Sequence, residues 1–403
     1  MSFTSSTKNW FTSGKFLYNK KLAALLWFGL AFIAVVQDIL NHKLNNYIIF
    51  KHVYIHSIQH VNLYLEYPHL YEDVNLYGPV FGLIIAPFAL LPDWLGVILW
   101  VMFNTAMLFL AIRSLPIKEK YQTAIILLCS HEMMNAASWL QSNPLIAACI
   151  IFSFSFINKG KDIWGLFFIM LATFIKLYGI VGLAFFFFSK DKIAFVKWAI
   201  IWFAVLLVAP AVLSSLSFVV QCYHDWFNAL VHKEAKNVNA FDTNDFQDIC
   251  VMGMIRRVFN IPDFKNIYIT IPAVILFALQ YLQFRFFSDL RFRLYLLCTV
   301  LIMTVIFTTS AESPTYIIAF PAMCLWYVLQ VPTKKNNALF IFALLLTSFS
   351  YSDIFTPWLR EHVVRPYSLK ALPGLVLWCV LIYQVYTKQF LQLKKDKLKM
   401  QTA

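Results

Sequence analysis

Long apolar runs with almost no charge constrain this chain more than any other feature. Each run is close to the ~20 residues that a helix needs to cross a hydrocarbon core about 30 Å thick. Because backbone polar groups in lipid must hydrogen-bond within their own segment, such runs are expected to be transmembrane α-helices. The clearest runs are Leu22–Leu40, Trp94–Ile112, Phe195–Leu213, Ile267–Phe284, Leu294–Phe307 and Leu372–Val385.

The composition excludes an ordinary water-soluble domain. Of the 403 residues, 60% are hydrophobic and 13% are charged, whereas soluble domains carry roughly 25% charged residues. We therefore predict an all-α, polytopic membrane protein. The segment Met1–Lys21 is polar and basic, and the apolar run after it is long enough to stay in the membrane, so a cleavable signal peptide is not expected.

Basic residues predict the orientation, because Lys and Arg accumulate in cytoplasmic loops. Their placement puts both termini in the cytoplasm, with 22 of the 33 Lys and Arg but only 5 of the 20 Asp and Glu in inner segments. The net charge of +13 is then a topology signal, so no nucleic-acid partner is expected. The chain divides into a cytoplasmic segment (1–21), a single transmembrane domain (22–388) and a basic cytoplasmic tail (389–403). About twelve spans are predicted, at 22–40, 94–112, 122–137, 143–158, 162–174, 176–189, 194–214, 267–286, 293–310, 314–331, 337–352 and 370–388.

Long connections all fall on the outer face in this topology, and long ordered loops commonly carry binding and catalytic residues. From Asn45 to Leu63, apolar residues recur at three- and four-residue spacing, which favours either a helix on the membrane surface or a helix packed on the spans. Val80–Leu91 is too short to cross and is predicted to be re-entrant or interfacial. The three outer segments lie at about 41–93, 215–266 and 353–369.

The seven cysteines show no paired CxxC spacing, so neither a zinc site nor a redox motif is predicted. Five of them fall in apolar spans, where a cysteine usually behaves as a small hydrophobic residue. Cys222 and Cys250 share the second outer segment. An oxidising compartment would allow these two to form a disulfide.

Polar residues gather at the outer ends of the predicted spans, where lipid would leave them without solvation. This placement predicts a polar cavity that opens to the outside. The groups are Asp38, Glu72-Asp73, His131-Glu132, Gln141-Ser142-Asn143, Lys176, Arg256-Arg257 and Glu312-Ser313-Pro314.

Cations in this set are candidates for binding a phosphate. Lys176 lies inside an apolar stretch whose two flanks both look cytoplasmic, so the stretch is predicted to be a hairpin with Lys176 at its outer tip. An ammonium group at that depth suits a lipid phosphate; the alternative is a lysine that reaches out to the interface. Arg256 and Arg257 form an outer arginine pair that either binds phosphate oxygens bidentately or is simply solvated.

Carboxylates in this set are candidates for a general base, which must lie within hydrogen-bond reach of the proton that it removes. Asp73 precedes a rigid Tyr77-Gly78-Pro79 turn, and Glu312 begins a span. The alternative for Glu312 is that it only stabilises the dipole of the helix it begins.

The ordered polar motifs make the chain resemble glycosyltransferase family 87, the polyprenyl-phosphate-mannose-dependent mannosyltransferases with the GT-C-type membrane fold. The resemblance extends from about Leu22 to Tyr386. The motifs that carry it are Asn45-Asn46-Tyr47-Ile48-Ile49-Phe50, Asn62-Leu63-Tyr64, Tyr77-Gly78-Pro79 with Pro87-Phe88-Ala89-Leu90-Leu91-Pro92, Leu140-Gln141-Ser142-Asn143-Pro144, Ile175-Lys176-Leu177-Tyr178-Gly179 and Glu312-Ser313-Pro314-Thr315-Tyr316.

The resemblance implies a sugar transfer with inversion from a polyprenyl-phosphate donor to a glycolipid or glycan acceptor, with no metal and no cofactor. It implies catalysis by Asp73 or Glu312 and donor-phosphate binding by Lys176, Arg256 and Arg257. The sugar is expected to be mannose, and the site to lie on the outer, periplasmic face of the inner cell membrane, among membrane lipids. The substrate cavity is expected to include Asn46, Tyr77, Gln141, Asn143 and Tyr178.

One departure from the family pattern separates the alternatives. Many members carry Asp where this chain has Asn46, and an amide cannot act as the base. Either another acid has taken the role or the activity is lost. The remaining alternatives are a lipid-linked glycan polymerase or ligase, a non-catalytic partner in a glycan-assembly complex, and a transporter, which would favour internal repeats around a midplane site.

Overall fold

Helices dominate the described part of the chain. The computed structural model describes residues 15–239 and 247–399, so the predictions for 1–14, 240–246 and 400–403 lie outside the described residues. Within these ranges the only β-type pairing is an isolated bridge between Ile117 and Leu398, which confirms the all-α class. The principal α-helices are Lys20–Leu40, Asn45–Gln59, Phe81–Ala89, Asp93–Ser114, Glu119–Ala137, Asn143–Asn158, Asp162–Ile175, Lys192–Val208, Leu216–Asn239, Val251–Phe259, Ile267–Leu279, Leu290–Ile306, Phe320–Leu329, Lys334–Ala343 and Leu372–Tyr386, with a 3-10 helix at Leu177–Phe188.

Five helices of the described part are long and apolar enough to cross a membrane. Several shorter apolar helices of 10–17 residues accompany them, so the chain is a membrane protein, while the number of twelve spans stays a prediction. The five long helices are Lys20–Leu40, Asp93–Ser114, Lys192–Val212, Ile267–Phe286 and Leu369–Tyr386.

The segments predicted to be cytoplasmic meet at one end of the helix bundle, here called the inner end. Lys20 Nζ lies 2.6 Å from Glu119 Oε2, which joins the first helix to the connection after the second long helix. Arg293 Nη1 donates to Asn158 Oδ1 at 2.9 Å, which joins two further connections. The bundle therefore has two chemically distinct ends, although the side that faces the cytoplasm stays a prediction.

Burial separates central helices from peripheral ones. Leu290–Ile306 and Phe320–Leu329 are buried over most of their length. By contrast, Lys192–Val212 is 17% buried and Ile267–Phe286 is 11% buried. Exposed apolar side chains on these last two helices require contact with lipid, because water would not solvate them.

The first two outer segments are largely helical, as predicted for 45–63 but not for 215–266. The first contains Asn45–Gln59, whose Tyr47, Phe50 and Val53 are buried, so this helix packs on the bundle. The predicted re-entrant piece is the short helix Phe81–Ala89, at nine residues too short to cross. The second contains Leu216–Asn239, a 24-residue amphipathic helix that we call the outer helix.

The described part of the predicted tail, 389–399, packs against the bundle. Phe390 is fully buried, and Lys397 Nζ donates to the carbonyl oxygens at 328–330, at 2.7–3.1 Å. These carbonyls end the helix Phe320–Leu329, where a cation is favoured. Over these residues the basic segment is part of the folded body.

Candidate functional site

A cavity of about 530 Å³, which we call the reaction cavity, lies at the end of the bundle opposite the inner end. Distant parts of the chain meet in its walls, as the predicted topology required. Seven of the ten predicted site residues line it: Asn46, Asp73, Tyr77, Gln141, Lys176, Tyr178 and Glu312.

A chain of three hydrogen bonds joins the predicted cation to one predicted acid. Lys176 Nζ donates to Asn143 Oδ1 at 3.2 Å, and Asn143 Nδ2 donates to Gln141 Oε1 at 2.5 Å. Gln141 Nε2 then donates to Glu312 Oε2 at 2.6 Å. Asn143, a further predicted site residue, does not line the cavity but is fully buried and orients Lys176 and Gln141 through these bonds. We call this set the polar relay.

Lys176 occupies the tip of the predicted hairpin. The helix Asp162–Ile175 ends at the preceding residue, Lys176 is extended (φ −153°, ψ 121°), and a 3-10 helix returns from Leu177. The ammonium group lies 5.7 Å from the centre of the Tyr77 ring and 4.9 Å from that of Tyr178, within cation–π range. Burial raises the pKa of Tyr77 to about 12, so its ring stays neutral beside the cation.

Glu312 lies in a break between two buried helices. Leu290–Ile306 ends before it, and a 3-10 turn at Ser313–Ile317 follows it, with Pro314 near its start. Glu312 N donates to Thr315 Oγ1 at 3.1 Å, and Thr315 N donates to Glu312 O at 3.0 Å. Irregular backbone at membrane depth is tolerated where it lines a cavity, and here it directs a carboxylate into one.

Asp73 lies in a strained turn at the rim of the cavity. Its φ is +70°, a left-handed conformation that Asp tolerates better than most residues. Its Oδ1 accepts from Val74 N at 2.9 Å, and its Oδ2 lies 3.3 Å from Lys233 Nζ. The Asp73 side chain is 47% exposed, so this carboxylate is both ion-paired and open to solvent.

The Tyr77-Gly78-Pro79 turn is clamped against the hairpin that carries Lys176. Gly78 N donates to Ile175 O at 3.0 Å. A Cβ at position 78 would lie 2.1 Å from Phe174 O and 2.9 Å from the Trp226 ring. Only glycine allows so close an approach, so this residue fixes the distance between two walls of the cavity.

The structure does not bring the arginine pair into the cavity lining. Arg256 is buried and donates to Asp248 Oδ2 at 2.6 Å, as well as to Phe264 O and Asn266 Oδ1. Arg257 donates to the backbone oxygens of Asp248 and Gln247. Both guanidinium groups hold the backbone beside the cavity, and the carboxylate of Asp248 pairs with Arg256. The two loop cysteines are also not bridged, since Cys222 and Cys250 are buried free thiols.

The outer helix contributes residues that sequence reasoning missed. Trp226, Lys233 and Asn237 line the reaction cavity from its inward face. The spacings of seven and four residues correspond to two turns and one turn of a helix, which would have signalled one face of a helix. The segment 215–266 was predicted only as a long outer connection, with no helix assigned to it.

A buried ion pair behind Glu312 was also missed. Lys370 Nζ lies 2.9 Å from Glu132 Oε1, and neither side chain is exposed. Lys370 Nζ also donates to Ser313 Oγ at 3.0 Å, and Asn135 Nδ2 contacts the same oxygen at 3.2 Å. The pair therefore holds the residue next to Glu312. Sequence placed Glu132 at the outer boundary but gave no sign of its partner.

An apolar groove continues from the reaction cavity along the bundle. It has a volume of about 350 Å³ and shares Val181 and Met303 with the cavity. Its walls come from the 3-10 helix Leu177–Phe188, from Ile267–Leu279 and from Leu290–Ile306. We call it the tail groove.

Comparison with known proteins is consistent with this architecture. A search of curated proteins found no significant match. The family model described as glycosyltransferase family 87 matches residues 75–309, more than half of the chain. This range includes Tyr77, three members of the polar relay (Gln141, Asn143 and Lys176) and the whole outer helix. Glu312 lies three residues beyond it. The chain belongs to glycosyltransferase family 87, and it is therefore a membrane glycosyltransferase.

Proposed function

We propose that this protein transfers one sugar, in the first instance mannose, from a polyprenyl-phosphate donor to a hydroxyl group of a glycolipid or glycan on the outer face of the inner membrane. The observation that carries the proposal is the position of Lys176. It lines the reaction cavity, and the next turns of the chain, through Val181, line the tail groove. A ligand with a phosphate head and a long apolar tail matches both surfaces at once.

The tail groove supports a lipid donor in particular. Its lining is almost entirely apolar, and one of its walls, Ile267–Leu279, belongs to a helix that faces lipid. A prenyl chain could enter from the bilayer without crossing water, and its burial would contribute about 0.8 kcal/mol per CH₂ group. A nucleotide-sugar donor offers no tail for this surface.

The step itself needs one base and one cation. The acceptor hydroxyl oxygen forms a bond to the anomeric carbon while the bond from that carbon to the phosphate oxygen breaks. The hydroxyl proton goes to a carboxylate, and the bonding electrons leave with polyprenyl phosphate. Lys176 stabilises the negative charge that develops on this leaving group, and no metal is required.

Glu312 is our choice as the base. Its Oε2 is held by a neutral amide, Gln141, through the polar relay. Asp73 is instead paired with Lys233, and this cation competes with an acceptor hydroxyl for the carboxylate. We assign Asp73 and Lys233 to holding the acceptor side of the cavity. Asn46 lines the cavity as an amide and serves as a hydrogen-bonding residue.

Two alternatives to a single-sugar transferase differ from it in the product that they would form. A polymerase or ligase would add a preformed glycan or many sugars, and a non-catalytic partner would add none. A single-sugar product separates the proposed transferase from both.

The test is donor use by the purified protein with radiolabelled polyprenyl-phosphate-mannose and a membrane glycolipid extract. Lys176→Ala is expected to raise the KM for the donor at least tenfold, because the phosphate loses its cation. Lys197→Ala is the matched control, because Lys197 is exposed and outside the cavity lining. Lys176→Arg should restore part of the donor affinity. Donor kinetics in Lys176→Ala equal to those of Lys197→Ala would overturn the assignment of the phosphate site.

A further inference from the structure

Two further cavities adjoin the reaction cavity on its outer side. A polar cavity of about 310 Å³ shares Asn46, Gln141 and Glu312 with it. A larger depression of about 890 Å³, which we call the outer groove, shares Asn46 and Trp139 with the polar cavity. Among the described residues, Asn46 is the one lining residue that the outer groove has in common with the reaction cavity. The outer groove is therefore distinct from the donor site.

The lining of the outer groove has the chemistry that a saccharide requires. Trp139 and Tyr71 supply aromatic rings, and Asp38, Glu72 and His69 supply hydrogen-bonding groups. A sugar ring presents apolar C–H faces that pack on aromatic rings, while its hydroxyl groups donate to carboxylates and imidazole.

Trp139 is held in place where the polar cavity meets the outer groove. Asn46 Nδ2 donates to Trp139 O at 2.8 Å. The next residue, Leu140, has a φ of +55° and accepts from Trp100 Nε1 at 2.8 Å. A left-handed conformation is costly for leucine, so the fold fixes this backbone on both sides. The Trp139 side chain remains 40% exposed at the junction.

An unused acceptor atom lies in the wall of the outer groove. Asp38 is 7% exposed, and its Oδ2 has no hydrogen-bond partner in the described part of the chain. A buried polar atom without a partner is unusual in a folded protein. A hydroxyl group of a bound ligand is a donor of the kind that this oxygen lacks.

We infer that the outer groove binds the sugars that precede the acceptor sugar, so that the acceptor is an oligosaccharide of at least two residues. The terminal sugar lies in the polar cavity beside Glu312, and the preceding sugar packs on Trp139 and reaches Asp38. This inference rests on the proposed function, because it assigns the second substrate of the same site.

The test uses glycolipid extracted from source cells in which this gene is deleted, with radiolabelled polyprenyl-phosphate-mannose as the donor. Mass spectrometry of the labelled product is expected to find at least three sugars, counting the new one. Trp139→Ala is expected to raise the KM for this extract at least tenfold. His69→Ala, at an exposed position that folding tolerates, is expected to raise it severalfold. Trp94→Ala is the matched control, since Trp94 is 56% exposed and outside all three linings.

Two outcomes separate this inference from the proposed function. A labelled product with only two sugars, or wild-type acceptor KM values in both variants, would overturn the oligosaccharide site while leaving the transferase intact. The proposed function itself would be overturned if the wild-type protein neither transferred labelled sugar to the extract nor released it to water. This inference would then fall with it.

Discussion

Breaking the buried ion pair between Glu132 and Lys370 should destabilise the protein and displace the proposed base. The two charges are 2.9 Å apart with no exposed surface, and at an effective dielectric constant of about 20 their attraction is about 6 kcal/mol. Removing one partner strands the other charge in an apolar bundle. We expect Glu132→Gln and Lys370→Met each to lower the free energy of unfolding by about 3–5 kcal/mol.

The double variant tests whether the cost comes from a stranded charge. Glu132→Gln combined with Lys370→Met leaves no charge at this buried site. Its loss in free energy of unfolding should therefore be smaller, by about 2 kcal/mol, than the sum of the losses in the two single variants. Reversible unfolding in mixed micelles, followed by circular dichroism, measures all three. Glu361→Gln is the control, because Glu361 is 43% exposed and pairs with Arg365 at the surface, and its loss should cost less than about 1 kcal/mol.

The same variants should affect catalysis, because Lys370 holds Ser313 beside Glu312. A lower kcat with a nearly constant donor KM is expected for Lys370→Met under conditions where it is folded. The reasoning is refuted if the single variants lose less than about 1 kcal/mol, or if the double variant loses the full sum of both.

Three further predictions test the walls, the chemistry and the orientation of the site. Gly78→Ala should lower the free energy of unfolding by at least about 1–3 kcal/mol through overpacking, because the new Cβ would lie 2.1 Å from a backbone carbonyl oxygen. Gly29→Ala is the control and should be neutral or stabilising, because nothing lies within 4 Å of its Cβ. Thermal unfolding compares the two variants, and equal stabilities would contradict the clamp at Gly78. Transfer should be unchanged by EDTA, and loss of activity that Mg²⁺ or Mn²⁺ restores would exclude metal-independent transfer. Cysteines introduced at the exposed residues Glu66 and Asp263 should react with an impermeant maleimide on intact cells, and one at Lys159 only after permeabilisation; the reverse pattern would invert the topology.

Sequence patterns predicted the hairpin at Lys176 because their physical basis is local. Two basic flanks around one apolar stretch leave no other arrangement that keeps both flanks on one side. The helix indeed ends at Ile175, and Gly179 and Gly182 of the returning 3-10 helix pack on Ala172 and Ile169. The convergence of Asp73, Lys176 and Glu312 followed from the same topology.

Pairings between distant residues could not be predicted in this way. Glu132 and Lys370 are 238 positions apart, and nothing local in the chain reports their contact. The arginine pair illustrates the opposite error, because an outer cation looks free until the fold places the carboxylate of Asp248 on it. The outer helix was missed because its polar face resembles a loop when only apolar runs are counted.

The most direct test of the account is sugar transfer from radiolabelled polyprenyl-phosphate-mannose by the wild-type, Glu312→Gln and Asp73→Asn proteins. A general base contributes about 10²–10⁴-fold, so Glu312→Gln should lower kcat by at least about a hundredfold, while donor binding is kept through Lys176. Asp73→Asn should lower kcat less and act mainly on the acceptor KM. Full activity in Glu312→Gln, together with the larger loss in Asp73→Asn, would contradict the assignment of the base and move it to the rim of the cavity.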